Sequence, residues 1–375
     1  MAETTFDPIP QSASADLRST DIDWPRLGLR SVVLVGLLAG LAAVFMLSLT
    51  LGSVDIPLKD ILKILIGQEP QRRTWTTIVM DFRLPKAITA TLAGAALAVA
   101  GLEMQTLFRN PLADPFVLGI NSGASLGVAL VVLSVGIAGA SATSMLAGLG
   151  LVGNFGLVAA STIGSGLVLA LMLVVAQRVR NTMTLLILGL MVGYAASALV
   201  SLLLYFSIAE RIHAYINWTF GSFGGVTWSQ MKVLAPVILA ALAVAFVLSK
   251  SLNALLLGET YARTMGLNVA RARRWIILSA ALLAGSITAF CGPIGFLGIA
   301  VPHLCRSLFN TSDHRVLVPA CTLLGATLAL IADIIAQMPG SQTVLPLNAV
   351  TALIGAPIVA WVIIRRSNLR TAFAG

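Results

Sequence analysis

Four stretches of this chain carry no Asp, Glu, Lys or Arg at all: residues 115–177, 181–209, 275–305 and 334–364. A helix that crosses a bilayer needs roughly 20 apolar residues, so these runs hold several crossings, most of them interrupted by Gly or Pro. Such interruptions are tolerated inside a membrane only where neighbouring helices satisfy the freed backbone groups, which points to a tightly packed helical bundle. The composition agrees: 58% of the residues are hydrophobic and 10% charged, far from the roughly one-quarter charge of soluble domains. The fold class expected is an all-α polytopic membrane protein.

Ten spans are expected, at about 31–51, 87–108, 116–135, 156–177, 184–206, 233–249, 275–292, 293–308, 316–336 and 345–364. Glycines at 136, 139, 148, 150, 153 and 156 mark a loop between the third and fourth. The seventh breaks at Gly292-Pro293, and the shortness of that region keeps nine spans open on hydropathy alone. Residues 51–82 read as a polar stretch in which Leu58, Ile61, Leu62 and Leu65 form an amphipathic patch at the membrane surface. The organisation is therefore a disordered cytosolic tail over 1–30, a transmembrane domain over 31–366 and a C-terminal tail over 367–375. The polar first 30 residues lack the basic start and apolar core of a cleavable signal.

The net charge of +9 suggests nucleic acid only until the basic residues are placed, because they gather at helix ends. With the N-terminus inside, the outer side holds eight of the 24: Lys59, Lys63, Arg72, Arg73, Arg83, Lys86, Arg211 and Lys232. The other sixteen face the cytoplasm, as the positive-inside rule requires. Both termini are then cytoplasmic, and no nucleic-acid partner is expected.

No catalytic motif is present. The sequence lacks GxxxxGK[ST], HExxH and GxSxG, so it does not cradle ATP phosphates by itself. Cys291, Cys305 and Cys321 have no ligand spacing and read as packing residues; no metal site is expected. His303 carries two readings, a proton relay and a fixed hydrogen bond, with the second favoured. Glu103 and Asp333 are carboxylates near span ends rather than at the midplane, which argues against ion coupling and for an external energy source. An ion-coupled secondary transporter remains the rival, with Glu103, His303 and Asp333 as its indispensable groups.

Two polar signatures bracket the second span: Arg83-Leu84-Pro85-Lys86 before it and Arg109-Asn110-Pro111-Leu112-Ala113-Asp114-Pro115 after it. The latter leads into Gly119, Ser122, Gly123 and Gly127. Further on stand residues 217–228 (NWTFGSFGGVTW), 292–303 (GPIGFLGIAVPH), 313–315 (DHR), 332–336 (ADIIA), and Leu345-Pro346 through Gly355-Ala356-Pro357. In this order they resemble the FecCD-type permease family, membrane subunits of ABC importers for iron–siderophores, haem and cobalamin.

That resemblance implies a type II importer permease in the bacterial inner membrane, with an iron(III)–siderophore as the expected cargo and cobalamin or haem as alternatives. It implies a second permease subunit, two cytosolic ATP-binding subunits that hold the ATP and Mg, and an external substrate-binding protein. This chain itself would be no enzyme and would bind no cofactor. Family members dock the binding protein through arginines, here matched by Arg83 and, with a cation lacking the bidentate fork, by Lys86; a third position is Gln337. The inner gate maps onto Thr182 and Met183. The segment 251–274 (SLNALLLGETYARTMGLNVARARR) matches the coupling region, with Leu256, Glu259, Arg263, Gly266 and Arg271 as its contacts to the ATPase. Its apolar Leu255, Leu257, Met265 and Leu267 are unexpected in a plain basic loop, which would otherwise only anchor Arg271, Arg273 and Arg274 at lipid headgroups.

Overall fold

The computed structural model describes residues 24–134, 154–179, 181–338 and 343–370. Their regular structure is all helical, with no strand among them. Seven helices are long and apolar enough to cross a membrane, and three shorter apolar ones lie at 120–133, 297–309 and 347–360. Together they account for the ten expected spans. In chain order these are α1 (Trp24–Thr50), α4 (Leu84–Leu107), α5 (Ile120–Ser134), α6 (Asn154–Arg178), α7 (Thr182–Tyr205), α9 (Trp228–Val247), α12 (Val269–Cys291), α13 (Leu297–Phe309), α14 (His314–Gln337) and α15 (Leu347–Arg370). Between them lie α2 (Leu58–Leu65), α3 (Arg73–Thr77), α8 (Ala209–Thr219), α10 (Ser249–Leu256) and α11 (Glu259–Thr264).

Several boundaries differ from the sequence reading. The first helix begins at Trp24, inside the stretch assigned to the N-terminal tail, and the last runs to Arg370, past residue 366. The remainder of both tails, and most of the glycine loop, lie outside the described residues, while Gly156 belongs to α6. Residues 73–83 are helical and run through a π-helical turn (Ile78–Arg83) straight into α4. In α2 the buried positions are Asp60, Ile61 and Ile64, so the exposed apolar stripe is Leu58, Leu62 and Leu65 without Ile61.

α4 is the axle of the bundle. It packs against α9, α12, α13 and α14, and 89% of the most apolar part of its helical run is buried. Small residues allow this, since lipid tails give apolar helices no hydrophobic reason to associate and close packing must hold them together. A methyl group on Gly94 would strike the Gly325 carbonyl of α14, and one on Gly101 the Gly298 carbonyl of α13. The α5–α6 pair repeats the device, Gly123 and Gly127 facing Gly164 and Ala160. The three cysteines are buried in the same core.

The helix breaks are built by residues suited to them. Gly292 ends α12 at φ 77°, wedged against the Trp218 carbonyl, and Ser222 N–H donates to the Cys291 carbonyl (2.8 Å). Asn348 N–H donates to the Phe220 carbonyl (3.0 Å), and Asn348 Oδ1 accepts from Gly295 N–H (3.1 Å). Three motifs that are distant in sequence thus meet at one end of the bundle. At the other end, Asn110 Oδ1 accepts from Leu112 N–H (3.0 Å) and Asp114 Oδ1 from Phe116 N–H (2.9 Å). These bonds fold the second signature into a turn between α4 and α5.

Candidate functional site

The end of the bundle that carries the segment 249–268 holds the densest polar cluster. Gly258, at φ 104°, lets the chain turn from α10 into α11, and Glu259 opens α11. Glu259 Oε1 accepts from Thr182 Oγ1 (2.6 Å) at the start of α7 and from Arg273 Nη2 (2.6 Å) in α12. Its other oxygen lies 3.4 Å from Arg263 Nη2. Arg273 also donates from Nη1 to the Val179 carbonyl (2.9 Å), closing the turn between α6 and α7. Burial pushes the Glu259 carboxyl up, but the hydrogen bonds from Thr182 and Arg273 and the charges of Arg273 and Arg263 outweigh it and hold it below the usual range. Arg273 is the buried member, with 5% of its side chain exposed. One carboxylate oxygen therefore ties α11 to α7 and α12.

A second tie lies beside it. Asn253 Oδ1 in α10 accepts from His314 N–H (2.9 Å) and pairs with His314 Nδ1 (2.7 Å), while Asn253 Nδ2 donates to Asp313 Oδ1 (2.6 Å). His314 Nε2 faces Thr106 Oγ1 of α4 at 2.8 Å. Burial raises the Asp313 carboxyl, yet the Arg315 N–H, Asn253 and the nearby cations bring it below its ordinary value. Short helices α10 and α11 are thus bonded to the ends of α4, α7, α12 and α14.

The expected coupling residues fall on different sides of this arrangement. Leu255 is buried, Leu256 half-buried, and Leu257, Tyr261 and Met265 stand exposed. Gly266 closes α11 at φ 85° with open space where a side chain would project. A recess of about 500 Å³ lies between Leu257, Met265, Gly266 and Leu267 on one side and Lys250, Asn253 and Ala254 on the other. Of the two gate positions, Thr182 is in the Glu259 cluster and Met183 is exposed, its N–H capped by Asn181 (2.8 Å). Arg271 stands apart from the cluster, on the outward face of α12. Sequence reading did not single out Asn253 or Tyr261, and it took Arg273 only as a headgroup anchor beside Arg271 and Arg274, whereas Arg273 turns inward to Glu259.

At the opposite end, Lys86 Nζ pairs with Asp333 Oδ1 (3.1 Å), and Gln337 Nε2 donates to Asp333 Oδ2 (2.6 Å). Arg83 donates to the carbonyls of Leu49 (2.7 Å), Thr50 (2.8 Å) and Val54, capping the end of α1. Both cations assigned to docking therefore hold intramolecular partners. His303 Nε2 bonds the Pro111 carbonyl (2.8 Å), and Glu103 is buried beside Ser279.

The profile of the FecCD transport family matches residues 40–365. The chain is 37% identical over 287 residues to the vitamin B12 import system permease protein BtuC of Klebsiella pneumoniae, covering 76% of this chain and 82% of that one. It is 36% identical over 290 residues to BtuC of Escherichia coli, covering 76% and 83%. Among solved structures it superposes, at a TM-score of 0.76 and 28% identity, on a chain in an inward-facing conformation described as a metal-chelate type ABC transporter; the overlap spans 89% of this chain and 99% of that one.

Proposed function

This chain belongs to the FecCD transport family, and from that membership we propose that it is the membrane-embedded permease of an ABC importer. It works in the bacterial inner membrane with both termini in the cytoplasm. A second permease lines the pathway with it, two cytosolic ATP-binding subunits drive it, and an external binding protein delivers the cargo. The observation that carries the reading is the Glu259 junction, which links α10–α11 to the first residue of α7. Exposed Leu257, Tyr261 and Met265 around the recess form an apolar surface for the ATPase. When the ATPases close, they displace α11, and Glu259 and Arg273 carry that displacement to Thr182. Arg83 and Lys86 position the outer ends of α1, α4 and α14 beneath the binding protein, rather than meeting it with free charges.

The cargo is a metal chelate. An iron(III)–siderophore was the expectation from motifs alone, but relatives named for vitamin B12 at 36–37% identity favour cobalamin within the same class. Mild detergent extraction should bring down a P-loop ATPase with the chain. Vesicles holding that complex and its binding protein should take up labelled cobalamin with ATP inside. Uptake that follows an imposed proton gradient without ATP overturns the importer reading, and uptake of a ferric siderophore but not cobalamin overturns the cargo.

A further inference from the structure

The basic start of α12 divides into two jobs. Arg273 turns inward to Glu259, whereas Arg271, Arg274, Trp275 and Leu278 share the opposite face at helical spacing, and the first three are exposed. Together with Leu173 and Gln177 of α6 they line a groove of about 310 Å³. Among the described residues no carboxylate lies within 4.0 Å of either Arg271 or Arg274. Both guanidiniums also sit in the first turns of a helix whose macrodipole is positive at that end, and α12 has no acidic residue in its first turn. The site is electrostatically incomplete without an anion.

Its walls say where that anion comes from. Trp275 is 48% exposed at the point where the charged segment gives way to the span, the level at which indoles settle between headgroup and acyl chain. Past it the apolar face continues through Leu278 and the exposed Leu282 on α12, which lines a recess with Ile163, Gly166 and Leu169 of α6. We propose that this groove binds an anionic phospholipid of the adjacent leaflet, its phosphate between Arg271 and Arg274 and an acyl chain along the α6–α12 seam. Basic pockets between spans take anionic headgroups for this reason. The site depends only on the chain crossing a membrane, and it withdraws Arg271 from the ATPase contacts expected from sequence.

The test uses the full chain in phosphatidylcholine vesicles, with tail-brominated phosphatidylglycerol or tail-brominated phosphatidylcholine added as a minor component. Quenching of Trp275 is read as the difference between the wild type and Trp275→Phe. The anionic lipid should quench at about a 25-fold lower fraction than the zwitterionic one, since each of the two arginines near a charged surface contributes roughly a fivefold preference. Arg271→Gln/Arg274→Gln should abolish that preference, and Arg271→Lys/Arg274→Lys should keep most of it. Equal quenching by both lipids in the wild type, a preference untouched in the glutamine variant, or reversal by millimolar inorganic phosphate each overturns the proposal. The wild-type comparison decides it even if a variant fails to fold.

Discussion

Helices α4 and α7 have the same length, 24 residues, and opposite surroundings. In the run containing α4, 89% of the most apolar stretch is buried, against 22% in α7, although α7 has the higher mean hydropathy. In a membrane the outside is apolar too, so apolarity measures exposure to lipid or to a neighbouring subunit rather than burial. What marks the buried helix is small residues at its crossings, Gly94 and Gly101, together with polar side chains that find partners inside, such as Thr106 and Gln105. α7 also approaches a neighbour closely, with Gly189 and Gly193 against Gly119 just before α5, but among the described residues its side-chain tie to another helix end is at its first residue, Thr182. A helix gripped along its whole length and one whose polar tie lies at one end suit a machine in which one element moves against another.

The largest expected effect tests the axle. Gly101→Leu drives a side chain into the Gly298 backbone and should cost about 3 kcal/mol or more, enough to eliminate monodisperse protein on size exclusion, whereas Ile187→Ala on exposed α7 should leave it unchanged. A well-folded Gly101→Leu protein breaks the contrast between the two helices. Next in size is Glu259→Ala, which strands the buried Arg273 charge at a cost of order 3 kcal/mol. Adding Arg273→Ala should recover thermal stability without recovering uptake, and recovery of both would remove the junction from the mechanism.

At the other end of α4, Asp333→Asn removes the charge facing Lys86 and leaves one oxygen where Lys86 and Gln337 each had their own acceptor. It should lower stability by about 1–2 kcal/mol, read as an earlier melting transition. A pH-dependent effect sits in the turn after α4. Burial pushes the Asp114 carboxyl up to about 6, with its hydrogen bond from Phe116 N–H only partly opposing. The folded chain then binds the proton more tightly than the unfolded one, so stability falls as pH rises from 3.8 to about 6. Asp114→Asn keeps the acceptor for Phe116 N–H and should flatten that slope; an unchanged slope assigns it to another group.

Much of the bundle was legible in the chain because membrane spans announce themselves by missing charge, and breaks at Gly292 and after Asp114 by their turn residues. The helix over 73–83 was not, because Arg72, Arg73, Asp81 and Arg83 give it the charge of a loop. α8 likewise has too many polar residues to signal a helix near a membrane. For the site, Glu259, Arg263 and Thr182 were visible separately, but their meeting depends on Arg273 turning inward while Arg271 and Arg274 turn out. In sequence the three arginines look alike, and only helix phase against α6 and α11 separates them. Lys86 and Arg83 were visible as charges, whereas their partners, an aspartate and three carbonyls, come from helices far along the chain.

Thr182→Val removes the hydroxyl that links α7 to Glu259 and little else. With the assembled importer in vesicles, ATP hydrolysis and cargo uptake would be measured in the same preparation. Loss of one charge-assisted hydrogen bond predicts uptake falling about tenfold while hydrolysis continues. Uptake and hydrolysis that both match the wild type would contradict a junction acting through Thr182.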